Sequence, residues 1–584
     1  MSRYTGADAI NLARTHETKR RTGRLPTVAT NCSVSSVTYR EALDAPRTKI
    51  MAGITDLPQE LITMIANYLD RRQRAQLAST SRSLYKSLDR CLWRTITMES
   101  DFPHYNLQHP HKVLTDIAPV RPIITPSRLQ QHSHLVHTLN LRGPFRQEYY
   151  SIKYPRLHSL VLHYDTSYHA PCDERDTCDS VLDAVMRAEE HTNGANFIRL
   201  NSTIKDLQLI VASPQPPPEF WNAISTILTT PARLHVRGLA QTSGDILDAF
   251  WKACDLFEEI DIRDTTYMRL PPILKELSFS RLKRISLDLT RPLGFDTGHQ
   301  LAWLRRCPNL TRINWRFASY ESSMDKFAEA LEQNVWPRLE DLGLEWLDEE
   351  DEMLARRLTH LPPLRRFQLR SSKFGPLTAG TLRERLYENV RVLDMARSPR
   401  FTSRMALGVL ESCVHLEEFR TFFICADDID LKARPWACLG LKRLKSIIWC
   451  KSDVTDDKAF EALSRLINLE YLDVGHKNMG IADVRYFAYS FSVPPAFVDH
   501  DDGSWSLRWK LERGLSRLAT LKKLRSLSLE GTEQRLAEED VKWMVSNWLM
   551  LDEVRGLGDM KVEQTALNIL QMAEILYKRP YPAV

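Results

Sequence analysis

The sequence predicts an α/β solenoid, in which short strands and helices alternate along most of the chain, preceded by a small three-helix domain and a disordered N-terminal tail. Three observations carry this expectation. A pattern of apolar, two residues, apolar, one residue, apolar recurs from Leu157 to Leu524, and between Phe257 and Leu469 its steps are 25, 28, 29, 25, 26, 26, 28 and 25 residues. Between occurrences the spacing turns helical, as in Met324, Phe327, Ala328 and Leu331, or Phe460, Leu463 and Leu466. Finally, 584 residues exceed what one compact core accommodates. One strand and one helix bury no apolar face alone, so the core must come from stacking neighbours.

The tail, residues 1–52, holds nine Lys or Arg against four acids and has no sustained apolar periodicity, so it reads as disordered. Its run from Lys19 to Arg24 reads first as solvated charge, with a nuclear import signal as the alternative. This tail accounts for the whole net charge of +5, and the remaining chain carries 70 basic and 70 acidic side chains. A neutral body argues against a nucleic-acid partner. No stretch approaches the roughly 18 apolar residues that span a membrane, and no apolar leader opens the chain, so a soluble protein of the cytoplasm and/or nucleus is expected.

Residues 53–97 form the expected three-helix domain. Pro58 suits a helix start, where a missing N–H loses no partner, and Leu61, Ile62, Ile65, Tyr68 and Leu69 follow as a broad apolar face. A charged break precedes a second helix around Ala75, Leu77 and Ala78, and a third carries Leu84, Leu88 and Leu92 and ends at Trp93. Three short helices make a small core, so part of this surface is expected to be shared with a neighbour or partner.

Leu57 and Pro58, then Glu60, Leu61, Ile65 and Leu69, then Leu77, Ser81, Arg82 and Leu84, and finally Leu92, Trp93 and Arg94 follow one known order. In this the segment resembles the F-box family. The resemblance implies binding to the Skp-type adaptor of a cullin ubiquitin ligase, with Leu57, Pro58, Leu61, Ile62, Ile65, Leu69, Leu77 and Trp93 as the adaptor-binding residues. The plainer alternative is that some of them only pack the three helices together.

A connector, residues 98–133, is rich in Pro and His. His104, His109, His111, His132, His134 and His137, with His163, His169, Cys172 and Cys178 beyond, match no zinc-ligand spacing, so no metal site is expected.

The repeats occupy residues 134–560. Anchors of the apolar pattern fall at Leu157, Ile204, Phe257, Leu282, Leu310, Leu339, Leu364, Val390, Leu416, Leu444, Leu469 and Leu524. Period, strand and helix together resemble the leucine-rich repeat family, which implies a horseshoe. The Asn that usually follows the strand is replaced by Thr290, Leu347 and Ser372, so its backbone ladder must be made differently. Three steps are long: 47 residues after Leu157, 53 after Ile204 with a poor repeat near Leu234, and 55 after Leu469. Pro, Gly and Asp mark the last as carrying a surface loop. An apolar run within residues 561–584 predicts a C-terminal capping helix. Cys254, Cys307 and Cys413 each stand three residues before an anchor and read as buried fillers of a repeating slot, in keeping with a reducing compartment.

Residues two, four and six beyond each anchor point to the open face of the sheet. On it Arg284, Arg312, Arg316, Arg366 and Arg370 are the candidate substrate-binding residues, with Glu259, Asp261, Asp341 and Glu345 among them. The plainer reading is that these charges pair with each other. No nucleophile elbow, P-loop, dinucleotide turn or HExxH occurs, so a non-catalytic chain without a cofactor is expected. The leading functional expectation is a ligase subunit that binds the adaptor and, through it, cullin, while its repeats hold an unknown protein substrate. The alternative is a repeat scaffold that binds the adaptor without directing degradation.

Overall fold

A computed structural model describes residues 57–69, 71–99, 124–142, 145, 147–164, 179–211, 215–228, 231–239, 244–264, 277–288, 297–316, 321–347, 349–371, 373–450, 453–475, 506–530, 532, 536–556, 569–570 and 576–578. The expected disordered tail lies outside them. The chain divides into two compact units, residues 1–62 and 63–584, with the boundary inside helix α1 (Gln59–Tyr68). In the first unit the Pro58 carbonyl accepts the backbone N–H groups of Leu61 and Ile62 at 3.0 and 3.1 Å, which starts the helix. Proline costs nothing there because that position's own N–H has no helical acceptor.

The second unit opens with the rest of α1, α2 (Arg71–Thr80) and α3 (Arg82–Trp93). The Ser81 hydroxyl caps α3 by accepting the Leu84 N–H at 3.1 Å. After Arg94 the chain becomes β1 (Thr95–Glu99) with no intervening loop. Then come β2 (Thr138–Arg142), β3 (Ser159–Tyr164), β4 (Asp206–Val211), β5 (Arg233–Arg237), β6 (Glu259–Arg263), β7 (Arg284–Asp288), β8 (Arg312–Arg316) and β9 (Asp341–Leu347). They continue as β10 (Arg366–Ser371), β11 (Val392–Asp394), β12 (Glu418–Cys425), β13 (Arg443–Trp449), β14 (Tyr471–Asp473), β15 (Ser526–Ser528), β16 (Glu553–Arg555) and β17 (Leu576–Lys578).

These 17 strands form one parallel sheet among the described residues, each strand pairing with the next in sequence. Parallel neighbours need a crossover, which helices supply between most strands and 3-10 turns accompany after β12 and β14. Along β4, β6, β7 and β10 burial alternates: Leu207 and Leu209, Ile260 and Ile262, Ile285 and Leu287, and Phe367 and Leu369 are buried, and the residues between them are partly open. The buried rows meet the helices in one continuous core, which includes a chain of ring contacts from Trp221 through Phe250 and Trp251 to Trp303 at 4.8, 5.1 and 4.4 Å.

The turn into each strand repeats as closely as the strand itself. The anchor N–H of Phe257, Leu310, Leu416 and Leu441 reaches the carbonyl of Cys254, Cys307, Cys413 and Cys438 at 3.0–3.4 Å. All four thiols are buried, so cysteine is a small filler under this turn. This slot corrects one anchor. Arg443 faces Glu418 across the ladder, which places the anchor of β13 at Leu441 and not at Leu444. Two apolar patterns overlap there, and Cys438, three residues before Leu441, was the signal that separates them.

Other expectations change at the ends and in the long steps. The sheet begins at β1, partly inside the expected connector, and the poor repeat near Leu234 is a full strand paired on both sides. The 47- and 55-residue steps are single repeats with insertions, since β3 pairs directly with β4 and β14 with β15. Of the expected capping helix, Ile569 and Leu570 are helical, whereas Leu576–Lys578 form a strand on β16, so the run's final residues extend the sheet. The Asn ladder has a substitute: Ser398 stands in that slot, donates its hydroxyl to the Leu369 carbonyl at 2.9 Å and accepts the Ser371 N–H at 3.2 Å. Among the described residues no helix is long and apolar enough to cross a membrane.

Candidate functional site

The adaptor-binding candidates differ in what they present. In the first unit Leu57 is half-buried, Pro58 is exposed and Leu61 is 39% exposed, whereas Ile62 is 3% exposed. In the second unit Ile65, Leu69 and Leu77 are half-buried and Met64 is 50% exposed. Met64 was not singled out in the sequence, although an unbranched thioether suits a surface that adapts to a partner.

Two of these candidates are held inside the chain. Ile62 is buried. The Trp93 indole is buried and lies flat on the imidazole of His132, with ring centroids 4.1 Å apart and planes 5° from parallel. Arg128 stands 5.7 Å over the same indole, and Asp89 is 3.8 Å from His132 Nδ1. His132 belongs to α4 (Pro126–His132), whose start Thr125 caps through the Arg128 N–H. Trp93 therefore ties α3 to the first turns of the solenoid. Of the histidines and cysteines at which the sequence predicts no metal site, His132 takes part in this stack, and His104, His109, His111, His169, Cys172 and Cys178 lie outside the described residues.

The substrate candidates share one sheet face, and the register brings them side by side. Arg312 faces Asp341, which faces Arg366; four residues further along, Arg316 faces Glu345, which faces Arg370. Arg312 Nε and Arg366 Nε converge on the same Asp341 oxygen at 2.5 and 3.4 Å. Arg316 Nε and Arg370 Nη1 converge on one Glu345 oxygen at 3.8 and 2.7 Å, and Arg316 also holds Asp288 at 2.6 Å. Arg284 pairs with Glu259 at 2.7 Å, and Asp261 binds both His235 and Arg263. The pairing reading thus holds for all five arginines. At the centre of the group stands Gly343, between Asn314 and Gln368 in register. A Cβ there would lie 2.8 Å from Asn314 Oδ1, so a side chain would collide with the amide that leans over it. Burial pushes the Asp341 carboxyl above its ordinary range, against the pull of Arg312 and Arg366, and burial lowers the affinity of the Arg370 guanidinium for its proton despite Glu345.

A family model described as F-box-like matches residues 54–99, which takes in α1, α2, α3 and β1. Residues 54–99 are an F-box-like domain. No curated protein matches the chain. Among solved structures, a chain in the crystal structure of the yeast Rad7 and Elc1 complex is 14% identical, with 64% of this chain and 75% of that one covered and a TM-score of 0.34. An internalin (inlF) from Listeria monocytogenes is 13% identical, with 78% and 89% covered and a TM-score of 0.27. The F-box-like domain leads straight into a solenoid of the leucine-rich-repeat type, because its last strand is the sheet's first.

Proposed function

We propose that this chain is the substrate-recognition subunit of a cullin-type ubiquitin ligase. In this reading the F-box-like domain binds a Skp-type adaptor, and through it cullin, while the solenoid's sheet face holds a protein substrate. The observation that carries it is the F-box-like match over residues 54–99, on which Pro58, Leu61 and Met64 remain exposed. Burying a few such side chains at about 1.5–3 kcal/mol each offsets the cost of association.

In this reading ubiquitin transfer belongs to other subunits of the ligase. Ubiquitin transfer through a thiolate would need an accessible, acidic cysteine. Burial pushes the Cys413 and Cys438 thiols up to about 12, and Cys254 and Cys307 are also raised.

The test is a pull-down of the intact chain and of a Leu57→Ala, Pro58→Ala variant, read out by adaptor and cullin. Capture by the wild type and loss in the variant is the expected result. Capture of neither by the wild type would overturn the reading. Adaptor without cullin would leave a repeat scaffold that does not direct degradation.

A further inference from the structure

The turns that lead into β12–β16 form a surface of their own, along the rim of the sheet where its strands begin. Each turn is closed in one way: the N–H of Leu416, Leu441, Leu469, Leu524 and Leu551 reaches the carbonyl three residues earlier at 2.9–3.3 Å. Each is also tied to the repeat before it. The N–H groups of Glu417, Lys442, Glu470, Arg525 and Asp552 bond the carbonyl in the same place on that repeat at 2.7–2.8 Å. Equivalent positions of successive turns are therefore spaced as paired strands are, about 4.8 Å apart.

One slot of this stack, two residues before each anchor, holds in order Val414, Leu439, Ile467, Lys522 and Leu549. The four apolar side chains are 53%, 52%, 53% and 85% exposed. The turn itself does not require them. Before β6, β7, β8 and β9 the same slot, under the same closing hydrogen bond, holds Asp255, Ser280, Pro308 and Pro337. Large apolar side chains exposed in register on neighbouring repeats are the mark of an interaction surface, unlike the scattered single residues of ordinary surface.

Charge selects what covers the row. Lys522 and its neighbour Lys523 interrupt it, and both bond neutral acceptors, the Asn547 carbonyl at 3.2 Å and the Asn468 amide oxygen at 2.7 Å. Of the carboxylates at the strand side of the turns, Glu417 is engaged by Lys442 at 2.7 Å and Asp552 by Arg525 at 3.9 Å, which leaves Glu470 to set against two lysines. The chain's own residues 1–52, with nine Lys or Arg against four acids, are the wrong sign for this place. A second copy laid on the row about a two-fold axis at Ile467 sets Lys522 on Leu439. An acidic residue flanked by apolar ones is the complement.

Spacing selects the conformation. A helix advances 5.4 Å per turn, close to the distance between repeats, so its residues i, i+4, i+7, i+11 and i+14 fall on successive slots. An extended segment repeats a face roughly every 6.8 Å and runs out of step.

We infer that the β12–β16 rim docks an amphipathic helix of a protein partner, its apolar stripe on Val414, Leu439, Ile467 and Leu549 and an acidic side chain at Lys522 and Lys523. This surface is distinct from the sheet face, and the inference stands independently of the substrate-receptor reading.

The experiment titrates the full chain into fluorescein-labelled 18-residue peptides and follows anisotropy. The test peptide carries Leu at i, i+4, i+7 and i+14 and Glu at i+11, made in both chain directions. Its comparisons replace that Glu by Lys or scramble the sequence. Binding of the Glu peptide, in one direction, about tenfold tighter than either comparison is expected. Leu439→Ser, Ile467→Ser should lose that binding about tenfold. Lys522→Glu, Lys523→Glu should reverse the preference in favour of the Lys peptide, a gain that misfolding does not produce. Pro308→Ser, Pro337→Ser, in the same slot of other repeats, should behave as wild type. Equal binding of the Glu and scrambled peptides overturns the inference, as does binding that survives Leu439→Ser, Ile467→Ser or a preference unmoved by the charge reversal. A photo-crosslinking variant, Ile467→benzoylphenylalanine, checks the other occupants: without peptide, a crosslink to its own residues 1–52 or to a second chain overturns the inference, and the absence of both supports it.

Discussion

The indole of Trp93 and the imidazole of His132 stack face to face, 4.1 Å between centroids, across 38 intervening positions of the chain. One ring ends the F-box-like helices and the other ends α4, so this contact helps hold the domain's last helix against the first repeats. Replacing Trp93 by Ala removes a buried ring and both of its partners. A loss of about 3–5 kcal/mol is expected, measured as a lower midpoint in chemical denaturation. A midpoint unchanged in Trp93→Ala would show that the stack is not part of the fold's stability.

The same contact makes stability depend on pH. Burial lowers the His132 pKa below its ordinary value of 6.5, with Asp89 opposing and Arg128 and His134 adding to the shift. The unfolded chain then binds the proton more readily than the folded one between the lowered pKa and 6.5. Stability from this residue is therefore full above about pH 6.5 and falls as pH drops through that window. His132→Phe keeps the stack and removes the proton, so its melting temperature should fall less between pH 7 and pH 5 than that of the wild type. Parallel curves for the two proteins would refute the assignment.

Asp456 is fully buried and is held by Arg508, with Nη2 and Nε on one carboxylate oxygen at 2.7 and 2.8 Å. The pair joins the helix after β13 to the segment that returns after the long insertion. Arg508→Leu leaves a buried carboxylate without its cation and should cost about 3–5 kcal/mol, read from denaturant unfolding. The double variant Asp456→Leu, Arg508→Leu should recover part of that loss. If the single change is neutral, the pair contributes nothing that water does not replace.

Ser398 bridges two repeats where the family pattern has Asn. Ser398→Ala strands the Ser371 N–H and the Leu369 carbonyl in the core, and a loss of about 1–3 kcal/mol is expected. Hydrogen exchange at Ser371 should rise in the variant; an unchanged rate would mean that the bridge is dispensable.

The cysteine slots give a chemical readout of the same architecture. Cys254, Cys307, Cys413 and Cys438 should resist alkylation at pH 8 in the folded chain and react on unfolding, followed by mass spectrometry. Labelling of Cys413 in the native state would contradict the turn geometry described for it.

Period, strand positions and the F-box-like helices were legible in the sequence because each is local. Side chains two apart on a strand, or three and four apart on a helix, share a face whatever the rest of the chain does. The Leu441 anchor was legible too, through Cys438, once the slot was read as a repeating feature. Tertiary structure alone decided the rest. Whether Arg312 is free or shares Asp341 with Arg366 depends on strand register between repeats 25–29 residues apart. Trp93 and Leu61 both fit the family order, yet packing buries the first and leaves the second exposed. Ladder register and ring stacking are set by the sum of many distant contacts, and no local pattern in the chain encodes that sum.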